Sequence, residues 1–201
     1  MPKLEDHVGG KPILKLVLEV ILISVGVFLG LAGEQWREHA HQRELAEQAL
    51  RRFRTEIVEN REAVAAVKDY HAALDKQMEA EFDKPADQRI SGNIHVEGIQ
   101  PPSFDRSAWD LAIATQSLSY LDPDLALSLS NIYNLQDTVT EATRGLVQAM
   151  YIASPAVGKK QRDDFLAALY LYYNDMIVYE PRLMKMYDEI LPKIDTALGG
   201  K

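Results

Sequence analysis

An apolar stretch near the N-terminus, residues 16–32, constrains this chain more than any other feature. Only two polar residues, Glu19 and Ser24, interrupt it. A helix rises ~1.5 Å per residue, so this stretch and its apolar flanks approach the ~30 Å hydrocarbon thickness of a bilayer. No second run of this kind follows. The sequence therefore predicts a single transmembrane anchor over residues 13–33, preceded by an N-terminal tail of residues 1–12.

A cleavable signal peptide is the alternative interpretation of the same segment. Three lysines precede the apolar run, and Gly30 and Ala32 would serve as a small-residue cleavage site. Against this alternative, the run is longer than the usual signal core and contains the acid Glu19. It also continues directly into helix-forming sequence, which favours a retained anchor.

The sequence after the anchor has the pattern of a long amphipathic helix. From Glu34 to Asp83 there is no proline or glycine. Apolar residues recur there at spacings of three, four and seven, as on one face of a helix in a bundle or coiled coil. They are Leu50, Phe53, Ile57, Val64, Val67, Leu74 and Met78. We expect a juxtamembrane helix over residues 34–83, with the polar residues Asn60 and His71 occupying the two vacant positions of this seam.

A loop and further helices complete the predicted soluble domain. Prolines and glycines predict a loop over residues 84–104, in which residues 90–96 are a candidate small hairpin. Helical spacing resumes over residues 105–198, with Asp105 and Asp122 as expected N-caps. The expected fold is all-α, with one N-terminal transmembrane helix running into a long helix and an antiparallel helical bundle as the soluble domain.

Five tyrosines crowd the last predicted helix. Its apolar spacing places Tyr172 and Tyr179 on the core stripe. Three others flank that stripe, namely Tyr170, Tyr173 and Tyr187.

Composition and motifs argue against several classes of function. The formal net charge of -8 disfavours nucleic acid as a partner, and the absence of cysteine excludes thiolate chemistry and cysteine-based metal sites. Arginines after the anchor alternate with acids, as on a solvated helix face. These residues are Arg37, Arg43, Arg51, Arg52 and Arg54, with Glu34, Glu38, Glu44, Glu47 and Glu56.

Histidines offer no convincing metal site either. Glu38 and His41 match one half of a di-iron helical-bundle motif, but no second helix supplies the other half. His39 and His41 are two residues apart, so they point to different faces of a helix. No motif of a hydrolase, nucleotide-binding loop or zinc peptidase is present. We expect no catalytic residue, no cofactor and no metal.

The anchor itself carries a candidate packing face. Glu19, Gly26 and Gly33 are seven residues apart, and Gly30 lies four residues after Gly26. Glycines at such spacings let two membrane helices approach closely. The sequence therefore predicts self-association, or pairing with a partner membrane helix, through the face formed by Glu19, Gly26, Gly30 and Gly33.

Three interpretations of Glu19 are open. It pairs with Lys15, one turn away, at the lipid headgroups; or it contacts a partner helix; or it takes up a proton, as a lone acid does in single-span subunits of ion-driven complexes. Lys15 and Trp36 flank the apolar run and are expected at the membrane interface. Packing of Trp36 in the first turn of the bundle is the alternative for that residue.

Four residues at fixed spacing resemble the N-terminal signature of a bacterial family of small membrane-anchored proteins of unknown function. The signature is an acid, six residues, glycine, nine residues, and Trp-x-Glu, here Glu19, Gly26, Trp36 and Glu38. Members commonly have glycine before the acid and Asn before the Trp, where this chain has Leu18 and Gln35. The resemblance implies a bacterial origin and a membrane anchor, and it brings no catalytic residue.

Three hypotheses for function follow from these features. The leading one is a non-enzymatic, membrane-anchored interaction or scaffold protein whose partners are lipid and another membrane helix. The second is an accessory subunit of a transporter or ion-driven complex, contacted through Glu19. The third is a ligand sensor or enzyme with a pocket between the bundle helices. We expect a bacterial inner-membrane protein with its domain on the extracytoplasmic side, although the positive charges flanking the span are nearly balanced.

Overall fold

The computed structural model describes residues 11–85, 88, 94–152 and 159–199, and these residues are almost entirely helical. Helix α1 is Lys11–Phe82, α2 is Ser107–Ala114, α3 is Pro123–Ile152 and α4 is Lys159–Ala197. A 3₁₀ turn, Ser117–Tyr120, separates α2 from α3. No β-strand occurs in these ranges, and most of the expected hairpin, residues 90–93, lies outside them.

The chain divides into two compact units, the first ending at Leu45 and the second beginning at Ala46. In the first unit, α1 is the one helix of the described ranges that is long and apolar enough to cross a membrane. Its large apolar side chains from Leu16 to Leu31 are 48% to 70% exposed. Within the described residues of the first unit, nothing covers this apolar surface.

The second unit has a core built from α1, α2, α3 and α4. Six of the seven apolar seam residues predicted on α1 are buried, namely Leu50, Phe53, Ile57, Val64, Leu74 and Met78, whereas Val67 is half-buried. Helices α3 and α4 contribute facing residues such as Leu129, Met176 and Leu183, each fully buried. Burying a side chain of this size contributes about 1.5–3 kcal/mol, so this apolar seam is the main source of stability for the second unit.

Contacts between α1 and α4 follow a regular order, with residue numbers rising on one helix and falling on the other. The pairs are Arg54–Asp195 (2.5 Å), Arg61–Asp188 (2.7 Å) and the stacked rings of Phe82 and Tyr170 (centroids 4.9 Å). The ion pairs are exposed, and such pairs contribute at most about 1 kcal/mol each. Their value here is that they define the register of the two helices.

The two predicted N-caps have different outcomes. Asp122 is confirmed as a cap, because its Oδ1 accepts hydrogen bonds from the amides of Asp124 and Leu125, each 3.0 Å long. The prediction for Asp105 is wrong, since α2 begins at Ser107 and no side chain within the local sequence caps it. The reason is tertiary: a side chain of α1 accepts from the Ala108 amide and the Ser107 hydroxyl at the start of α2.

Two local features shape the remaining elements. Gln116 has a left-handed backbone (φ 57°), which stops α2 from continuing into the 3₁₀ turn. Helix α4 continues through Pro181 and Pro192 and ends at Ala197. It buries Tyr173 and Tyr187 completely, so two tyrosines expected to flank the core lie within it, whereas Tyr179 is only half-buried.

Candidate functional site

The four residues of the predicted anchor packing face are all exposed within the first unit. Glu19, Gly26, Gly30 and Gly33 lie on helix α1, and none of them is covered by another part of that unit. A Cβ atom built on any of the three glycines meets no atom within 4 Å. This face is therefore open to a second helix.

The residues expected at the membrane interface are exposed as well. Lys15 is exposed near the start of α1, and Trp36 is 80% exposed. Glu38 and His39 nearby are also exposed. Within the described ranges, no group of three or more His, Cys, Asp or Glu side chains is arranged to hold a metal ion.

Asn60, one of the two predicted polar seam residues, is 1% exposed and holds the backbone of Asp105. Its Nδ2 donates to the Asp105 carbonyl (2.7 Å), and its Oδ1 accepts from the Asp105 amide (2.8 Å). One carboxamide thus satisfies both backbone groups of a residue that lies outside any helix. Asn60 fixes the position at which the chain enters α2.

Glu56, one turn before Asn60, is buried rather than on the solvated face that its charge pattern suggested. Its side chain is 3% exposed and accepts three hydrogen bonds. Oε2 accepts from the Ala108 amide (2.7 Å) and the Ser107 hydroxyl (2.9 Å), and Oε1 accepts from the Tyr133 hydroxyl (2.5 Å). This carboxylate caps the N-terminus of α2, where the helix dipole favours negative charge, and ties α1 to α3.

Aromatic rings surround the Glu56 carboxylate. Trp109 stacks on Tyr133 with ring centroids 4.9 Å apart, and Phe53 lies within 6.4 Å of both. Burial raises the pKa of the Tyr133 phenol, and the neighbouring Glu56 carboxylate raises it further. The Tyr133 hydroxyl therefore keeps its proton beyond the ordinary range of a phenol and donates it to Glu56.

His71, the second predicted polar seam residue, is completely buried and bridges two segments. Its Nδ1 lies 2.6 Å from Oε1 of Glu180 on α4, a residue that is 1% exposed. Its Nε2 lies 3.0 Å from the carbonyl oxygen of Ile99. A carbonyl oxygen only accepts hydrogen bonds, so Nε2 must carry a hydrogen. The contact between Nδ1 and Glu180 needs a second hydrogen, which is held either by the imidazole or by the carboxyl group.

The neighbouring carbonyl, that of Gly98, is also held by side chains. The hydroxyls of Tyr70 and Tyr173 donate to it at 2.7 and 3.1 Å. Gly98 has φ 113° and Gln100 has φ 44°, both in the left-handed region that disfavours ordinary side chains. This backbone presents two successive carbonyls, those of Gly98 and Ile99, to the side chains of α1 and α4.

These contacts belong to one feature, which we call the strap: residues 94–106, lying along α1. Its residue numbers rise as those of α1 fall. The His95 amide donates to Gln77 (3.0 Å), and the Glu97 amide donates to the Tyr70 hydroxyl (2.9 Å), which in turn donates to the Gly98 carbonyl. His71 contacts the Ile99 carbonyl, and Asn60 donates to the Asp105 carbonyl. Side chains of α1 therefore satisfy backbone groups of a segment that belongs to no helix or strand.

Among the described residues of the second unit, two buried side-chain oxygens have no hydrogen-bond partner, Oδ1 of Asp75 and Oε1 of Gln136. Burial is the main cause that raises the pKa of Asp75; the Glu79 carboxylate adds to it, and a hydrogen bond with Asn174 opposes it. Gln136 of α3 donates to the Tyr187 hydroxyl at 2.9 Å. Neither atom lies in a cluster of metal-ligating groups.

A surface groove of about 450 Å³ adjoins the start of α2. Among its lining residues are Arg51, Arg52 and Glu59 of α1, together with Ser107 and Leu111 of α2. Glu56 forms part of its floor, but all its hydrogen bonds are directed to protein groups.

Comparison with known proteins does not add a family to this picture. No model of a protein family, no curated protein and no solved structure matches the chain. The function must therefore be argued from the residues and contacts described above.

Proposed function

We propose that this chain is a single-span membrane protein whose soluble domain is an antiparallel helical bundle and whose role is interaction rather than catalysis. The observation that carries the proposal is the continuous apolar surface of α1. Twelve large apolar side chains from Leu16 to Leu31 are about half exposed or more. In water such a surface is unfavourable, whereas in lipid each of these residues contributes about -0.3 to -0.6 kcal/mol.

The bundle part of the proposal rests on the contacts of α1, α3 and α4. The α1–α4 pairs described above run in opposite directions. Gln136 with Tyr187 and Thr143 with Tyr172 give the same opposite order for α3 and α4. An up-down arrangement of helices joined by turns buries their apolar stripes against one another.

Interaction through the anchor is supported by the open glycine face. An acid within a span faces protein or water in most membrane proteins, and Glu19 lies on the same stripe as Gly26, Gly30 and Gly33. We infer that this stripe contacts a second membrane helix, in the simplest case that of another copy of the chain. The resemblance to the bacterial anchored family supports a bacterial membrane anchor. We place the bundle on the extracytoplasmic side, because a short N-terminal tail inside and a large exported domain is the commoner arrangement for such anchors.

Disulfide crosslinking in native membranes tests this inference, because the chain has no cysteine of its own. Ile23→Cys places a thiol within one turn of both Glu19 and Gly26. The matched control, Phe28→Cys, places it about half a turn away from the stripe. Oxidation should give a dimer with Ile23→Cys and little with Phe28→Cys, and Gly26→Ile should abolish the Ile23→Cys dimer.

Other results would contradict this inference or favour one of the alternative functions. Equal crosslinking at both positions would contradict the glycine-face interface. Recovery of a stoichiometric multi-span protein in mild detergent, lost on Glu19→Gln, would favour the accessory-subunit alternative. A small molecule retained by the bundle in native mass spectrometry would favour the ligand-sensor alternative.

A further inference from the structure

His71 of α1 is a completely buried side chain that contacts both α4 and the strap. Its two ring nitrogens face two acceptors, the Glu180 carboxyl group and the Ile99 carbonyl. With both nitrogens protonated, the imidazolium satisfies both acceptors at once. That state needs one proton more than a neutral imidazole beside an ionised carboxylate.

Loss of that proton leaves a single N–H group for two acceptors. A charged carboxylate is the stronger acceptor, since hydrogen bonds to ionised groups are roughly twice as strong as neutral ones. The remaining hydrogen therefore goes to Nδ1, facing Glu180. Nε2 is then an unprotonated nitrogen 3.0 Å from the Ile99 carbonyl, and two lone pairs face each other in a buried site.

We propose that the His71–Glu180 pair is a proton-controlled latch, which holds the strap on α1 while the pair keeps its proton and releases it when the proton is lost to water. The strap is suited to this role because its backbone is already in an unfavourable conformation at Gln100. Such a segment stays in place only while surrounding contacts hold it. The Ile99 bond is one of the contacts opposing that strain.

Few other groups face the His71 ring. Tyr70 of α1 and both Tyr172 and Tyr173 of α4 contact it, with ring centroids 5.3 to 6.1 Å away. On the α3 side, Thr143 reaches it only through the Tyr172 hydroxyl. Glu180 is the charged group that contacts the ring, and Asp75, four residues further along α1, is a second buried carboxyl group, whose pKa is raised by burial.

Two of the tyrosines are unsuited to act as the titrating group. Burial raises the pKa of both Tyr172 and Tyr173, so their hydroxyls stay protonated beyond the ordinary range of a phenol. The hydroxyls of Tyr70 and Tyr173 both donate to Gly98 of the strap, and Tyr70→Phe serves as the control for this second kind of contact.

Hydrogen–deuterium exchange of the full chain in detergent micelles tests the latch between pH 5.5 and 9.5. With rates corrected for intrinsic exchange, protection of peptides covering residues 94–106 should fall about tenfold or more as pH rises, as expected for an unpaired buried acceptor. Peptides of α3 and the part of α4 after Pro181 should stay equally protected. An unchanged strap, or equal loosening of all peptides, would overturn the proposal.

Three variants separate the latch from a merely structural contact. In Glu180→Gln the carboxamide donates a hydrogen bond to Nδ1, so the hydrogen of the neutral imidazole stays on Nε2. Nε2 then donates to the Ile99 carbonyl at every pH tested, and the strap should stay protected from pH 5.5 to 9.5. His71→Phe should give low protection at every pH, and Tyr70→Phe should retain the pH step. The same pH step in Glu180→Gln as in the unmodified chain, or its loss in Tyr70→Phe, would refute the assignment.

Discussion

Removal of the Glu56 carboxylate should destabilise the second unit more than any other single loss of charge on α1. The side chain is 3% exposed and accepts from Ser107, Ala108 and Tyr133. In Glu56→Ala, the Ser107 hydroxyl can turn to water, but the Ala108 amide and the Tyr133 hydroxyl are left buried without acceptors. Each such group costs about 1–3 kcal/mol, and relief from burying a charge offsets part of the total.

We therefore expect a loss of about 3 kcal/mol in the free energy of unfolding. For a unit of this size, about 1 kcal/mol shifts Tm by ~2–4 °C, so Tm should fall by ~6–12 °C. The assay is thermal unfolding of the full chain in detergent micelles, followed by near-ultraviolet circular dichroism of Trp109 and its neighbouring aromatic rings. Tyr133→Phe, which removes one donor and leaves the carboxylate in place, should lose only about 1 kcal/mol.

Glu59 provides the matched control on the same helix. It is exposed and one turn from Glu56, so Glu59→Ala should change stability by no more than about 0.5 kcal/mol. If Glu56→Ala and Glu59→Ala have the same Tm within error, the carboxylate does not cap α2 and the reasoning fails. The same conclusion would follow if Tyr133→Phe were as damaging as Glu56→Ala.

Two further substitutions have signs that follow from the structure. Burial raises the pKa of Asp75, which means that its ionised carboxylate destabilises the folded state. Asp75→Asn should therefore raise Tm at pH 7, and this gain should vanish as pH falls below the ordinary range of an aspartate. Melting curves recorded from pH 3 to 8 measure this dependence. A constant gain at every pH would contradict this. Gly98→Ala places a side chain on a residue with φ 113° and should lower the free energy of unfolding by about 1–2 kcal/mol. Gly145→Ala, on the open surface of α3, should raise it by ~0.5–1 kcal/mol. Equal changes in Tm for the two variants would refute this distinction.

The helical core could be predicted from the sequence because its pattern is local. Spacings of three, four and seven from Leu50 to Met78 require only that one face of a helix be buried. Asn60 and His71 were identified by the same periodicity, since they fill vacancies in that face, and both are buried. The cap at Asp122 depends on amides two and three residues away, so its signal is also local.

The strap and the Glu56 site could not be predicted in this way, because their bonds join residues far apart in the chain. Glu56 is one of several acids alternating with arginines, and only its position three residues after Phe53 distinguishes it from its exposed neighbours. The strap has no hydrophobic periodicity. Most of its hydrogen bonds use backbone atoms, which are the same for every residue, so they leave no signal in the sequence. Proline and glycine marked this segment as a loop, but not where it lies.

Hydrogen bonds between residues far apart in the chain also explain the unexpected burial of two tyrosines of α4. Tyr173 and Tyr187 flank the apolar stripe, yet each is fully buried because its hydroxyl has a partner, Gly98 for the first and Gln136 for the second. A phenol with a satisfied hydroxyl is as acceptable in a core as an apolar ring. Apolar periodicity alone therefore underestimated the width of the buried face.

Fractionation of native membranes with alkaline carbonate, followed by intact mass measurement of the chain, tests the transmembrane anchor most directly. Carbonate strips proteins that are held to a membrane by surface contacts and leaves those that span it. If residues 13–33 span the membrane, the chain stays in the membrane pellet with these residues still attached. Recovery in the soluble fraction, or a mass that corresponds to a chain beginning after Ala32, would contradict it.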